Sequence, residues 1–154
     1  MILEEAIKQQ HFKSLELRTF LNIYHTHSTL QSALHADLKP YKISVQQFNI
    51  LRILRGQKGK PVSASEITER MLDKMSNTSR LLEKLRIKEL IIRRECPEDR
   101  RKVEIELTEK GLELVNIASV AIESDMDRKL GSFTHDELQT LNHLLDKLNT
   151  IEHK

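Results

Sequence analysis

Residues 72–111 read LDKMSNTSRLLEKLRIKELIIRRECPEDRRKVEIELTEKG, and two different periodicities follow each other in this stretch. Up to Lys88 the apolar residues recur at the spacing of an amphipathic helix. From Val103 to Leu107 apolar and charged residues alternate, which is typical of a strand with one buried face. Residues 90–95 begin with an apolar run, and Pro97 starts a turn-forming segment between the two runs. The stretch therefore predicts a helix followed by an antiparallel hairpin with a charged tip.

The helices on either side of this stretch are marked by their start and stop signals. Residues 1–39 show a loose helical period that Pro40 ends, which predicts one long helix with a candidate break near Phe12. Gly56 and Gly131 stand at predicted helix ends, and Thr108 caps the helix that follows the hairpin. Capping boxes, in which Ser or Thr is followed three residues later by Glu or Gln, mark three further starts. They are Ser44 with Gln47, Ser63 with Glu66, and Thr134 with Glu137.

The element order is helix, helix, connection, helix and hairpin, which is a helix-turn-helix followed by a wing. We expect a single domain over residues 1–154, mainly α with a small antiparallel β wing. Residues 41–111 form its winged helix-turn-helix part, and long helices lie on both sides, at residues 1–40 and 112–154. The helix from Met75 to Lys88 is the expected recognition helix.

The recognition helix has one apolar and one polar face. Its apolar face holds Thr78, Leu81, Leu82 and Leu85, and its polar face holds Ser76, Arg80, Glu83 and Lys84. Arg can bind guanine O6 and N7 with two hydrogen bonds, and Lys adds a mobile cation. Ser76 and Asn77 lie near the helix start, where backbone amides and the helix dipole favour a phosphate. An ordinary surface helix has the same pattern, and it is the adjoining hairpin that favours nucleic-acid binding.

Length and composition exclude several classes of protein. The 154 residues include 4 Gly and 3 Pro, which is too little for the Gly-rich nucleotide loops of Rossmann and P-loop folds. Cys96 is the only cysteine, so neither an intrachain disulfide nor a multi-cysteine zinc site can form. No apolar run approaches the roughly 18 residues that cross a bilayer, and the start MILEEAIKQQ does not fit a secretory signal. We therefore expect a soluble protein of the reducing cytoplasm.

The net charge of +2 is unevenly divided along the chain. Residues 38–102 carry 17 basic and 8 acidic side chains, whereas residues 1–37 carry 3 and 4, and residues 103–154 carry 5 and 11. A basic middle between acidic flanks arises from ordinary solvated surfaces as well as from a nucleic-acid contact zone. Charge alone does not decide between these two interpretations.

Three blocks of sequence resemble, in order, the MarR family of bacterial winged-helix transcription regulators. They are residues 44–54 (SVQQFNILRIL), 72–85 (LDKMSNTSRLLEKL) and 97–111 (PEDRRKVEIELTEKG). The last block resembles the family's wing signature, an Asp-x-Arg followed by an alternating strand and Leu-Thr-x-x-Gly. The resemblance implies a homodimer with intertwined terminal helices that binds a pseudo-palindromic operator. It also implies an effector, often a small aromatic or phenolic anion, that changes the spacing of the two DNA-binding parts.

The resemblance also assigns roles to individual residues. It places Ser76, Asn77 and Arg80 in the major groove and Arg101 in the minor groove, with Asp99 orienting Arg101. The full set of candidate DNA-binding residues is Ser76, Asn77, Arg80, Lys84, Asp99, Arg100, Arg101 and Lys102. A candidate effector cavity lies between the first long helix, the second helix and the helix after Thr108. Its candidate lining, which combines aromatic faces with hydrogen-bonding groups, is Tyr24, His25, His27, Tyr41 and Phe48; the alternative is that these residues only fill core space.

Two positions depart from the family pattern. Glu89 follows the recognition helix where the family commonly has Gly, and Lys42 precedes Ser44 where Gly is frequent. A non-Gly residue with positive φ is costly, so either the local turns differ or strain is tolerated.

Other residues that suggest chemistry have simpler explanations. Cys96 is expected to be a small apolar group, although the nearby arginines make a reactive thiol conceivable. His25 and His27 lie about 200° apart around a helix, so they cannot chelate one metal ion from a single face. No catalytic motif is present, so we expect neither an enzyme nor a cofactor. Two functions remain: a dimeric, ligand-responsive DNA-binding repressor, and a winged-helix protein-interaction module without DNA binding.

Overall fold

The computed structural model describes residues 2–99 and 101–150. Within these ranges the helices are α1 (Leu3–Ala6), α2 (Leu15–Leu38), α3 (Val45–Gly56), α4 (Ala64–Arg70), α5 (Thr78–Ile87), α6 (Glu109–Leu130) and α7 (His135–Asn149), with one 3-10 turn at Lys39–Tyr41. The strands are β1 (Val62–Ser63), β2 (Ile91–Glu95) and β3 (Val103–Leu107). The predicted fold class, mainly α with a small antiparallel β wing, is confirmed.

The chain divides into two compact units, one up to Ala118 and one from Ser119 onward. The first unit contains α1 to α5, all three strands and the start of α6. The second contains the rest of α6 and α7. The expectation of a single domain with residues 41–111 as its DNA-binding part stays a prediction. Within the described ranges, no helix combines the length and the apolar character that spanning a membrane requires.

The wing is a hairpin of β2 and β3, paired antiparallel from Ile91 opposite Leu107 to Glu95 opposite Val103. The short strand β1 pairs with the other edge of β3, so the strand order is β1-β3-β2. The alternating sequence predicted the hairpin. It did not predict β1, because two residues are too few to show a period of two.

The predicted capping boxes are all formed. Ser44 accepts from the backbone N–H of Gln47 at 3.1 Å, and the Gln47 side chain accepts from the backbone N–H of Ser44 at 3.0 Å. The same reciprocal pair starts α4 at Ser63 and α7 at Thr134. Each box satisfies two backbone N–H groups that have no partner inside the helix.

The first helical stretch is broken more widely than the sequence predicted. Helix α1 ends at Ala6, and α2 begins only at Leu15, where Ser14 accepts from the backbone N–H of Leu17. Lys8 lies between them with a left-handed φ of 53°, which no helix continues through. The break therefore surrounds Phe12 and extends from Ile7 to Ser14.

The core of the first unit joins the wing to the helices. Helices α3, α4 and α5 and strands β2 and β3 all contribute fully buried side chains to it. Among these are Ile50, Leu51, Ile67, Leu82, Leu85, Ile91 and Ile105. At its edge, Gly111 in the first turn of α6 lies against the backbone of Leu90: a Cβ at Gly111 would be 2.0 Å from the Leu90 carbonyl oxygen. The glycine of the Leu-Thr-x-x-Gly signature is thus required by a close approach of two backbones.

Candidate nucleic-acid interface

Helix α5 presents cations on the face opposite its buried leucines. Leu82 and Leu85 are fully buried, whereas Arg80 and Lys84 are exposed. The predicted division of this helix into two faces is therefore present. Within the described part of the chain, neither Arg80 nor Lys84 forms an ion pair, so both charges are available to a ligand.

The start of α5 differs from the sequence prediction. The helix begins at Thr78, not Met75, because Asp73 organises a turn before it: its Oδ1 accepts from the Met75 backbone N–H at 3.0 Å and its carbonyl accepts from Ser76 at 3.2 Å. Asn77 is the N-cap and accepts from the Arg80 backbone N–H at 3.1 Å. Asn77 is exposed with its amide N–H₂ still available, whereas the Ser76 hydroxyl is buried.

Glu83, the one acid on the polar face of α5, is held by two arginines. Arg86 donates two hydrogen bonds to its carboxylate, at 2.7 and 3.0 Å, and Arg93 on β2 lies 3.8 Å from it. The hydrogen bonds from Arg86 hold the pKa of the Glu83 carboxyl below its ordinary value, against partial burial, which acts in the opposite direction. Arg86 and Arg93 offset the negative charge of Glu83. The carboxylate therefore does not cancel the positive charges of Arg80 and Lys84 on the same face.

The wing tip is organised by Asp99. Its carboxylate Oδ1 accepts from the backbone N–H of Arg101 at 3.0 Å, and its carbonyl accepts from the backbone N–H of Lys102 at 2.9 Å. Both cations are exposed. The expected link between Asp99 and Arg101 is therefore made through the backbone, which leaves the Arg101 guanidinium to project from the turn. Arg100 lies outside the described residues.

Comparisons with known proteins agree with this geometry. The MarR family model matches residues 43–103, which run from the residue before the α3 cap to the first residue of β3. The transcriptional regulator PecS of Dickeya dadantii (strain 3937), described as of the helix-turn-helix type, is 30% identical over 122 residues, covering 77% of this chain and 72% of PecS. This chain belongs to the MarR family.

Solved structures share the fold of this MarR-family chain. The organohalide-sensing transcriptional regulator RdhR in its 2,4-dichlorophenol-bound form has a TM-score of 0.80 at 22% identity, over 96% of this chain and 87% of that one. A mutant MarR from E. coli complexed with operator DNA has a TM-score of 0.73 at 23% identity, over 96% of this chain and 99% of that one. At this level of identity the likeness concerns the fold.

The two positions where glycine is usual in the MarR family keep the glycine conformation. Lys42 has φ 55° and Glu89 has φ 61°. Of the two alternatives that the sequence left open, the structure shows tolerated strain. Lys88, which directly precedes Glu89, donates a hydrogen bond from its ammonium to the Lys42 carbonyl oxygen. The same ammonium lies 3.4 Å from Gln47 Oε1. Lys88 thus connects the end of α5 to the start of α3, a contact that sequence spacing alone does not reveal.

The five candidate effector residues differ in their surroundings, and their role as the lining of an effector cavity stays a prediction. Tyr24 is 67% exposed on α2 and stacks on Phe20 at 6.4 Å, while Phe48 is buried in α3. His25 and Tyr41 are half-buried. His27 lines a cavity of about 590 Å³ between α2, α3 and the connection Met71–Lys74, and the other four candidates are not among the described residues that line this cavity.

Residues that no sequence pattern singles out also line that cavity. Asn49 on α3 is the most informative of them, because its side chain is buried and polar. The connection Met71–Lys74 supplies the remaining wall, and no periodicity could have placed it beside α2. Over residues 2–99 and 101–150, no three His, Cys, Asp or Glu side chains come close enough together to hold a metal ion.

Proposed function

We propose that this chain is a dimeric, sequence-specific DNA-binding transcriptional regulator, a repressor whose DNA binding is relieved by a small aromatic or phenolic effector. The observation that carries the proposal is the presentation of four exposed cations on two adjoining elements. Arg80 and Lys84 project from the open face of α5, and Arg101 and Lys102 from the wing tip. A helix flanked by a basic hairpin fits a major groove and the neighbouring minor groove.

The two elements have different tasks in this proposal. Arg80 and Asn77 contact base edges or phosphates from the start of α5, with Ser76 near the same backbone, and Lys84 neutralises phosphate further along. Asp99 holds the turn from which Arg101 reaches the minor groove, and Arg100 and Lys102 are further candidate DNA-binding residues of the wing. The E. coli MarR neighbour, whose structure includes operator DNA, supports this arrangement.

Dimerisation is supported by apolar surface on the terminal helices. In the second unit α7 has no buried residue, and Leu141, Leu144, Leu145 and Leu148 are all more than one-third exposed, with Leu138 half-buried. In the first unit Ile7, Leu15 and Phe20 are exposed as well. Burying one such side chain stabilises an interface by about 1.5–3 kcal/mol. We therefore infer that a second copy of the chain packs against this apolar surface. Ile151, expected in the same row, lies outside the described residues.

An effector is supported by the presence of a cavity next to the DNA-binding elements and by the dichlorophenol bound in the RdhR neighbour. An effector loosens DNA binding only if it prefers the conformation that does not fit the operator. Since its target is chromosomal DNA, we place the regulator in the cytoplasm.

The proposal is tested by selecting DNA from a random library with the full chain and measuring affinity for the selected duplex by fluorescence anisotropy. We expect a pseudo-palindrome with half-site centres roughly 10 base pairs apart, and a steep loss of affinity with salt. The double variant Arg80→Ala with Arg101→Ala should lose this binding, and Lys13→Ala, which removes an exposed cation outside the interface, should keep it. If the chain selects no duplex, the protein-interaction module becomes the better interpretation.

A further inference from the structure

The segment between α4 and α5 holds an apolar side chain out in solvent, directly before the recognition helix. Met75 is 92% exposed, and no other large apolar side chain of residues 2–99 and 101–150 is exposed to that extent. Leu72, in the same segment, is 77% exposed. Single apolar side chains are common on protein surfaces, so exposure alone does not indicate a contact. What matters for Met75 is where it lies and how firmly its backbone is held.

The backbone around Met75 is held by hydrogen bonds on both sides of it. Asp73 Oδ1 accepts from the Met75 backbone N–H at 3.0 Å, and the Asp73 carbonyl accepts from the backbone N–H of Ser76 at 3.2 Å. Before this turn, the Leu72 backbone N–H donates to Asn49 Oδ1 at 2.9 Å, which attaches the segment to α3. Because the turn is already ordered in the free chain, Met75 loses little backbone freedom when it makes a contact.

Met75 lies on the same side of the chain as the groups that the recognition helix presents. Exposed and buried positions alternate here, as they do in extended backbone. Met75 and Asn77 are exposed, whereas the Ser76 hydroxyl is buried and Thr78 is only 6% exposed. Asn77 caps α5, and Arg80 follows in the first turn of that helix. The exposed surface of Met75 is therefore continuous with that of Asn77 and Arg80.

The charges of this surface favour DNA over an apolar protein partner. Arg80 and Lys84 are exposed, and in the described part of the chain neither forms an ion pair. A protein that covered Met75 with apolar groups would remove water from these cations, whereas DNA phosphates pair with them. The carboxylate of Asp73 is turned back onto the chain: Oδ1 accepts from Met75, and Oδ2 lies 3.5 Å from Gln46 Nε2.

A methionine side chain recognises one kind of group in the major groove. It has no hydrogen-bond donor and its sulfur is a weak acceptor, so it does not distinguish the polar edges of the bases. The apolar group that the bases expose in this groove is the C5 methyl of thymine. Methionine is long and unbranched, with three rotatable bonds, so it adapts to a methyl group on the floor of the groove.

We propose that Met75 is a specificity-determining residue of the DNA interface, and that it contacts the C5 methyl group of a thymine in each half-site of the operator. The contact adds sequence preference from a residue outside α5, beside the bases that Asn77 and Arg80 approach. This inference rests on the proposed DNA-binding function and adds to it a base that the protein recognises.

The test uses the duplex that the full chain selects, in which the thymines are replaced by deoxyuridine, one position at a time and in both half-sites together. Deoxyuridine lacks the C5 methyl group and keeps the hydrogen bonds of the base pair. At one position we expect about fourfold weaker binding per half-site, and roughly 15-fold for the dimer, as the burial of one methyl group predicts. Fluorescence anisotropy at constant salt measures the affinities. Equal affinity for the parent duplex and every deoxyuridine duplex would overturn the inference.

Met75→Gln assigns the methyl effect to Met75, because glutamine is also unbranched and flexible but is polar. This variant should bind the selected duplex roughly 15-fold more weakly, and deoxyuridine at the sensitive position should weaken it by about twofold or less. Ile87→Gln is the control, since Ile87 is 66% exposed at the opposite end of α5, and it should behave like the parent. A methyl effect that persists in full in Met75→Gln belongs to another side chain and contradicts the inference.

The two proposals fail separately in these measurements. A chain that selects no duplex removes the DNA-binding function, and with it any role of Met75 in sequence recognition. A chain that binds its duplex equally well with and without the thymine methyl groups keeps the function and loses this inference alone. In that case Met75 and Leu72 are better explained as a contact surface for another protein.

Discussion

The carboxylate of Asp99 accepts a hydrogen bond from the backbone N–H of Arg101 at 3.0 Å, so the acid at the wing tip acts on the chain and leaves the arginine side chain free. The contact spans two residues, which is the geometry of an Asx turn. The turn requires a hydrogen-bond acceptor on the side chain of residue 99, and it does not require a negative charge there. This distinction separates two substitutions of Asp99.

Asp99→Asn should keep the wing turn, because the amide Oδ1 accepts from Arg101 as the carboxylate does. It also removes a negative charge next to the proposed minor-groove contact, so operator affinity should be equal or somewhat higher. Asp99→Ala removes the acceptor and should weaken operator binding by about 1 kcal/mol through a looser turn. Anisotropy titrations of the two variants at one salt concentration decide it: equal weakening in both would mean that the charge matters and the turn does not.

Arg80→Ala should cost about 1–3 kcal/mol of operator binding if Arg80 contacts a base, and should relax the preference at that base pair. Lys84→Ala should weaken binding to all sequences alike and reduce the dependence of affinity on salt by roughly one phosphate contact. The matched pair is measured on the selected operator and on single-base variants of it. An Arg80→Ala variant with unchanged affinity and preference would remove α5 as the recognition helix.

Lys42→Gly should stabilise the protein, because Lys42 has φ 55° in a region that costs L-residues roughly 1–2 kcal/mol. Glycine removes this strain but adds flexibility to the unfolded chain, so the net gain is about 0.5–1 kcal/mol. The Lys88 contact is unaffected, since it uses the carbonyl oxygen of residue 42. Urea unfolding measures the change. Lys39→Gly, in the neighbouring 3-10 turn and with an ordinary φ of −54°, should destabilise instead.

Gly111→Ala should destabilise the protein by about 1–3 kcal/mol or more, because the new Cβ would lie 2.0 Å from the Leu90 carbonyl oxygen. That oxygen also accepts from the Thr108 backbone N–H, so relief by movement of α6 would break the contact between wing and helix. Gly56→Ala is the control, since a Cβ there meets nothing within 4 Å and Ala favours the helix end in α3. A neutral Gly111→Ala in thermal unfolding would show that the two backbones separate freely.

Structure that depends on contacts between residues close together in the sequence was predictable, and structure that depends on distant contacts was not. The Ser44, Ser63 and Thr134 caps are local, three residues long, and all three form as predicted. The hairpin follows from alternation over five residues in β3. Helix α5 begins later than predicted because the turn formed by Asp73 competes with the helix. A polar side chain close to a helix start can favour either a turn or the first helical turn.

The cavity could not be predicted in the same way. Its walls come from α2, α3 and the connection Met71–Lys74, and Leu72 in that connection lies 23 residues after Asn49 along the chain. Aromatic residues suggested a lining, but Phe48 is used in the core and Tyr24 faces outward. The adjacent Asn49 resembles any polar residue of a helix until the Leu72 contact shows that its amide is buried and half-satisfied.

The capping box of α7 should make part of the stability depend on pH. Glu137 Oε2 accepts from the Thr134 backbone N–H at 2.8 Å and from its hydroxyl at 3.0 Å, and the backbone hydrogen bond, with the hydroxyl second, lowers the pKa of the Glu137 carboxyl below its ordinary value of 4.5. A group whose pKa is lower in the folded state stabilises the fold above its ordinary pKa, and this contribution is lost as the pH falls through the folded-state value. The loss therefore begins below about pH 4.5.

Glu137→Gln isolates this effect, because Gln also completes a capping box and does not titrate. We expect the two proteins to have similar melting temperatures at pH 7, and the parent to lose more than the variant between pH 5 and pH 3. Amide hydrogen exchange in the first turn of α7 locates the change, since only the residues capped by Thr134 and Glu137 should lose protection selectively. Parallel melting curves for parent and variant down to pH 3 would mean that the carboxylate adds nothing to the cap beyond what a neutral amide provides.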